Sequence, residues 1–545
     1  MTRLLARIAP SLMCLLPVVG PSLADALPAT SPAWVYDGNQ DLENLGMSVA
    51  RIGDVNDDGY EDVAAGAPLF DGVDQDSGRA FLWLGGPTGL PSSPSWIGEG
   101  AVEDARFGES VESAGDVNGD GYDDLIVGAP EHDAGGGPLG GAFVFHGGPS
   151  GISTTPDWTA LGEEDNDRFG RSAAGVGDVN NDGYDDVVVG AWRFTDSQVR
   201  QGKAYLYLGS ASGLASTPSW TSAGVEAAEN HGYSVAAAGD VNDDGFADVL
   251  VAAPGYSNMQ PNEGRVHLWY GSATGLAVTA DWTLEADWES ASLGFSLAGV
   301  GDVNGDDYDD VVLGAAPEGV FDLAGDRVAL FLGGASGLSS SPVWQALEEP
   351  WPHSQIAVRP AGDVNGDGLA DVVIGREVLY LDHHGDAWVF LGNASSGLEA
   401  TEAWHWSPTK DEMQYGSAVA AADVDGDGLS DLFIGARGHN GDGLNQGWVG
   451  LYPGDGSSAG DDDDAADDDD AADDDDAADD DDAANDDDAA DDDDDSTFGV
   501  LGDDDDDPFA DDGGCAIGGG PVVPAALLLL PLVGWTRRRR RTEPT

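Results

Sequence analysis

Short runs of apolar residues, separated by glycine-rich and acidic turns, return along this chain about every sixty residues. The unit around residues 110–160 shows the pattern. Ser110–Ala114 predicts a short strand, and Leu125–Ala129 a second that is apolar throughout. Ala142-Phe143-Val144-Phe145 predicts a third, and beyond the turn Gly147–Gly151 a fourth carries Trp158. Four strands in about 62 residues, joined by Gly-rich turns, are the signature of a β-propeller blade.

Between the first and second strands of every unit stands a nine-residue acidic loop, Asp-x-Asn/Asp-x-Asp-Gly-x-x-Asp. Its copies begin at Asp54, Asp116, Asp178, Asp240, Asp302, Asp363 and Asp423, spaced 60–62 residues apart. Seven copies in register define a repeat architecture. A series of tryptophans, Trp34, Trp96, Trp158, Trp220, Trp282, Trp344 and Trp404, is offset from the loops. Trp34 precedes the first loop, and no equivalent follows the last. The seventh blade therefore lacks an outer strand unless Pro32–Asp37 supplies it. Closing the ring this way removes the edge that a linear array would leave exposed. The expected fold is all-β: a seven-bladed β-propeller over residues 32–454, closed by an N-terminal strand.

Composition narrows the chemistry. The 545 residues carry a formal net charge of −81 and a pI near 4.1, which repels nucleic acid and anionic membranes and invites divalent cations. Glycine, at 80 residues against 28 prolines, suits many tight turns. The two cysteines, Cys14 and Cys515, both lie in terminal segments. The folded part therefore has no disulfide, and something else must staple its loops.

The loop spacing supplies a candidate staple. Side chains at positions 1, 3 and 5 converge when the loop curls, and the glycine at position 6 permits the turn. Position 7 then offers a backbone carbonyl and position 9 a carboxylate. The first three sets are Asp54, Asn56, Asp58, Tyr60 and Asp62; Asp116, Asn118, Asp120, Tyr122 and Asp124; and Asp178, Asn180, Asp182, Tyr184 and Asp186. The next two are Asp240, Asn242, Asp244, Phe246 and Asp248, and Asp302, Asn304, Asp306, Tyr308 and Asp310. The last two are Asp363, Asn365, Asp367, Leu369 and Asp371, and Asp423, Asp425, Asp427, Leu429 and Asp431. All donors are hard oxygens, which favours calcium over zinc or copper and gives up to seven Ca2+ ions. Magnesium, which prefers a tighter octahedron with several waters, fits less well. The loop joins two strands and lacks the helices, twelve-residue frame and terminal Glu of an EF-hand.

Two copies depart from the rule. Asp307 takes the place of the glycine in the fifth, and because Asp tolerates a left-handed backbone the site is expected to persist, more weakly. Asp425 in the last copy adds a negative ligand and is expected to tighten binding. The expected role is structural. Clustered carboxylates repel strongly, and an ion turns that repulsion into a cross-link.

Phe107-Gly108 and Phe169-Gly170, with Gly66-Ala67-Pro68 and Gly128-Ala129-Pro130, resemble the FG-GAP repeats of integrin alpha-subunit propellers. The resemblance covers Trp34 to about Pro453. It implies a seven-bladed propeller with calcium in the loop between the first two strands of a blade. Ser354-Gln355 departs from Phe-Gly in the sixth blade, and Gly375-Arg376 and Gly435-Ala436-Arg437 lose the proline. No long insertion interrupts a repeat, so neither a heterodimer partner nor an inserted metal-dependent ligand domain is implied.

The ends read as targeting segments. Residues 1–24 form a secretory signal, with Arg3 and Arg7, an apolar Ile8–Val19 and small residues at Ser22-Leu23-Ala24. Lipidation at Cys14 is disfavoured because Met13 is larger than the residue such sites carry. Residues 455–512 are an Asp/Ala-rich linker, with 31 aspartates between Asp461 and Asp512. Self-repulsion predicts a disordered stalk of up to ~170 Å. Residues 513–545 join Cys515, an apolar run Ala516–Trp535 and the cluster Arg537–Arg541. This order resembles the tripartite C-terminal sorting signals of the MYXO-CTERM and related types, which implies cleavage near Cys515 and lipid attachment there. A permanent single-pass anchor is the alternative; Pro521, Pro524 and Pro531 make a poor long helix.

No catalytic constellation emerges. The nine histidines, His132, His146, His231, His267, His353, His383, His384, His405 and His439, show no metal-ligand spacing. Gly294-Phe295-Ser296-Leu297-Ala298 lacks the last glycine of a nucleophile elbow and occupies a repeat position. The tryptophans follow the repeat period and read as packing residues. The favoured function is a secreted, surface-tethered, calcium-binding adhesion or binding module for an extracellular protein or polysaccharide, in a bacterial envelope. Variable loops at Leu69–Ser77, Glu131–Gly140, Arg193–Gln201 and Gly255–Glu263 are expected to share one rim. A polysaccharide hydrolase or lyase, and a structural surface-layer component, are the alternatives.

Overall fold

The computed structural model describes residues 27–28, 31–286, 288–316, 327–347, 354–378, 385–408, 414–440 and 444–454. The expected signal segment, Asp/Ala linker, Cys515 and apolar C-terminal run lie outside them. Every regular element in the described residues is a strand. Among these residues no helix is long and apolar enough to cross a membrane.

The strands form seven four-stranded antiparallel sheets. In the second blade the order from the inside outward is Ser110–Gly115, Asp124–Ala129, Gly141–Phe145 and Trp158–Leu161. The second strand of a blade is buried along its whole length, as its uninterrupted apolar sequence requires. The outer strand alternates buried and exposed residues, with its tryptophan inward. The inner strands neighbour one another in a closed cycle, from Ser48–Gly53 round to Tyr415–Ala422 and back.

Among the described residues there is no single core. Seven apolar layers lie between successive blades, and each draws residues from both. The outer tryptophans also bond across these layers. Trp96 Nε1 donates to the Ser153 carbonyl at 3.0 Å, Trp158 to Ala215 at 2.9 Å and Trp220 to Ala277 at 2.8 Å. Each bond runs from one blade to the next.

The ring closes as expected. Trp34–Asp37 pairs antiparallel with Trp448–Tyr452, in the register Trp34↔Leu451 to Asp37↔Trp448, and completes the seventh sheet. Trp34 then packs edge-on against Trp83 of the first blade at 5.3 Å and near Phe433 of the seventh at 6.1 Å. Its indole donates to Pro91 at 3.0 Å. The sixth blade adds a feature the repeat pattern did not predict, a small hairpin pairing Gly392–Asn393 with Gly397–Leu398.

Trp34→Ala is expected to remove this seal and lower stability in urea denaturation by about 3 kcal/mol. Val35→Ala, on the exposed side of the same strand, is expected to cost less than about 0.5 kcal/mol.

Candidate metal centres in the interstrand hairpins

Each acidic loop is wound around its first aspartate. In the second blade Asp116 Oδ1 accepts N–H bonds from Gly119 at 2.7 Å and Asp120 at 3.0 Å, while Oδ2 accepts from Gly121 at 2.8 Å. Asp54, Asp302, Asp363 and Asp423 do the same for their own positions 5 and 6. So do Asp178 and Asp240. The position-7 N–H is drawn onto the position-5 carboxylate, as Tyr122 is onto Asp120 at 3.2 Å. Sequence reasoning required one left-handed residue per loop; the structure has two. Position 4 joins position 6, as in Asp57 at φ 56° beside Gly59 at φ 91°.

The position-9 aspartates sit deepest. Asp62, Asp124, Asp186, Asp248, Asp310 and Asp371 are fully buried, and Asp431 nearly so. Asp124 Oδ2 accepts from Val117 N–H at 3.1 Å and Oδ1 from Gly147 N–H at 2.8 Å. Burial pushes all seven carboxyls up to about 7, against the pull of these N–H groups; neighbouring loop aspartates push the same way. The fold thus holds seven carboxylates where protein groups alone disfavour their charge.

The remaining donors converge unevenly. In the last copy Asp423, Asp425 and Asp427 bring oxygens within 4.8 Å of one another. In the other six an asparagine stands at position 3, and among the described residues positions 1, 5 and 9 do not close to that distance. The position-3 amide is informative there. Oδ1 of Asn180, Asn242 and Asn304 is buried without a hydrogen-bond partner, an arrangement native proteins rarely tolerate unless an ion or water completes it. Carboxylate oxygens that already accept one N–H keep a second lone pair. The oxygen-only donor set, the unsatisfied amide oxygens and the charge-disfavouring burial fit a hard divalent cation.

Position 8, which sequence reasoning passed over, links the loops into a circle. Its backbone N–H donates to the position-1 carbonyl of the preceding blade: Asp123 to Asp54, Asp185 to Asp116, Ala247 to Asp178 and Asp309 to Asp240. Ala370 to Asp302, Ser430 to Asp363 and Glu61 to Asp423 complete the series. Where position 8 is acidic, its carboxylate also accepts the position-1 N–H, at 2.9 Å for Asp123, 2.9 Å for Asp185, 2.7 Å for Asp309 and 2.9 Å for Glu61. The glycine before position 1 makes room for this. A Cβ on Gly115, at φ 71°, would lie 2.2 Å from Asp185 Oδ2. The recurrent glycine was the available signal.

Comparison with known proteins agrees with this architecture. Residues 46–83, 107–145, 169–207 and 231–269 match the FG-GAP repeat, and residues 363–434 an FG-GAP-like repeat. The chain is 34% identical to integrin alpha-5 of Xenopus laevis over 181 residues, 32% of this chain and 17% of that protein. It is 35% identical to human integrin alpha-6 over 160 residues, 29% of this chain and 14% of that protein. With integrin alpha-8 of Mus musculus the identity is 29% over 305 residues, 52% of this chain and 27% of that protein. The chain thus spans about a quarter or less of the length of these relatives. Repeats of this type on a seven-bladed ring, with integrin alpha homologues, support an FG-GAP β-propeller.

Proposed function

We propose that this chain is an extracellular binding module of the adhesion type, a propeller whose seven hairpins each hold a structural calcium ion. The observation that carries the metal reading is the repeated hairpin itself: a buried position-9 carboxylate in every copy and an orphaned position-3 amide oxygen in three. The ligands are those expected from the sequence, from Asp54–Asp62 through Asp423–Asp431. A bound calcium ion supplies positive charge to the buried oxygens and cross-links them. The protein's part is to pre-curl each loop around position 1 and to tie it to the next blade through position 8.

The binding reading draws on the integrin relatives and on the rim opposite the hairpins. The four loops predicted to be variable leave the same end of their sheets, and three of them expose an apolar side chain. Val73, Val199 and Met259 are 79%, 64% and 88% exposed. In the central channel the acids are engaged by arginine: Glu109 with Arg171 at 2.9 Å, Glu112 with Arg359 at 2.9 Å and Glu377 with Arg437 at 2.7 Å. These pairs fasten different blades together, which supports binding over the two-carboxylate chemistry of a glycosidase. Secretion through residues 1–24, tethering through the acidic linker and processing or anchoring around Cys515 in a bacterial envelope complete the proposal.

Excess chelator is expected to lower the melting temperature by about 10 °C or more, and calcium to restore it; an unchanged melting curve would overturn the metal reading. Asp124→Asn should destabilise the calcium-loaded protein by about 2 kcal/mol more than the chelated one, because burial disfavours the charge it removes, while the loss of one acceptor for the Val117 and Gly147 N–H groups is common to both states. Asp307 stands at φ 70°, where glycine is found in the other loops. Asp307→Gly should therefore raise stability by about 0.5–1 kcal/mol and tighten calcium binding, as read by calorimetry. On a panel of immobilised extracellular proteins and glycans, with product analysis, binding without turnover is expected. The double change Val199→Asp and Met259→Asp should weaken that binding at least ~10-fold without shifting the melting temperature.

A further inference from the structure

At the junction of neighbouring blades, the aromatic residue that opens an inner strand meets an aromatic residue on the third strand. Phe107 faces Phe143 at 5.8 Å, and Phe169 faces Tyr205 at 5.3 Å. In the fourth blade both partners are histidines, His231 and His267, 5.7 Å apart. Two residues before the first stands Glu229, itself 2% exposed. Glu229, His231 and His267 each place one ligand atom within 4.8 Å of the others.

His231 is 2% exposed, and neither of its ring nitrogens has a hydrogen-bond partner. Replacing a buried phenylalanine by an unsatisfied imidazole costs about 1–3 kcal/mol unless something occupies the nitrogen. His267 is oriented from behind. Its Nδ1 lies 2.8 Å from Thr283 Oγ1 on the outer strand, which fixes the ring while one of its nitrogens stands within the cluster. Glu229 is fixed by N–H bonds from Val225 at 2.7 Å and Glu226 at 3.0 Å to Oε2. Its Oε1 meets Arg265 at 3.0 Å, and Glu285 shares that guanidinium at 3.8 Å, so two acids balance one cation beside the cluster. Burial, with Arg265 nearby, holds His231 well below its ordinary range and pushes His267 to about 4, leaving neutral imidazoles.

We propose that Glu229, His231 and His267 form a zinc site, separate from the acidic hairpins and at the other end of the fourth blade. Two imidazoles and one carboxylate are a zinc donor set with an open fourth position for water. Calcium, which takes oxygen ligands, is a poor match for them. The site lies beside the seam with the third blade, where His231 bridges to Gly202 of that blade.

The test uses the full chain, stripped of metal and returned to millimolar calcium. Cobalt(II) is titrated first and followed by its visible absorption, and zinc is then titrated by calorimetry. One cobalt ion per chain with four-coordinate absorption, displaced by zinc, is the expected result. His231→Phe restores the residue type of the second and third blades and is expected to fold. It should lower zinc affinity by at least ~100-fold while leaving the calcium-dependent melting shift in place. His267→Tyr, which copies the third blade, should act alike. Absence of stoichiometric cobalt or zinc binding by the unaltered chain would overturn the proposal, as would zinc binding by His231→Phe at the original affinity. A failure of calcium to bind the hairpins would abolish the melting shift but leave the cobalt and zinc readouts unaffected.

Discussion

Everything in this ring depends on how aspartates are held at one end of the blades. The position-9 carboxylates are withdrawn from water, and the loops that contain them are joined to one another by the position-8 backbone bond. Each loop is therefore both a turn within a blade and a fastener between two. An unbalanced charge in one of them strains the blade junction as well as the hairpin. This couples the electrostatics of the loops to the packing of the seven apolar layers behind them. It also explains why a scaffold without disulfides can rely on small residues such as Ala114, Ala173 and Ala238 close to its axis.

The fold was readable because it is written seven times. The four-strand unit, the acidic hairpin and the outer tryptophan all keep the same spacing, so a misreading in one blade is corrected by the others. Closure by Trp34–Asp37 followed from an offset between two such series, and the observed register bears it out. The sixth blade's extra hairpin escaped because Gly392–Leu398 is a local variation with no periodic counterpart.

What escaped at the sites has a different cause. The position-8 bond is made by backbone, so residues as unlike as Glu61, Ala247 and Ser430 perform it equally and no residue type announces it. The second left-handed position was hidden because Asp57, Asn181 and Asp243 adopt it as well as glycine does. His231 and His267 stand 36 positions apart, too far for a spacing rule. They meet because antiparallel strands return the chain to the same end of the blade. The signal was present as a substitution within the repeat, histidine where the second and third blades carry Phe or Tyr.

The seam between Trp34–Asp37 and Trp448–Tyr452 has a consequence for biogenesis. The strand made first is the last to find its partner. At ~5–20 residues per second, the intervening stretch of roughly 400 residues takes about 20–80 s to synthesise. Throughout that interval an apolar segment bearing Trp34 and Tyr36 waits unpaired beside a growing row of blades. Closure of the ring thus waits for Trp448–Tyr452, and chaperone demand should concentrate on the opening strand.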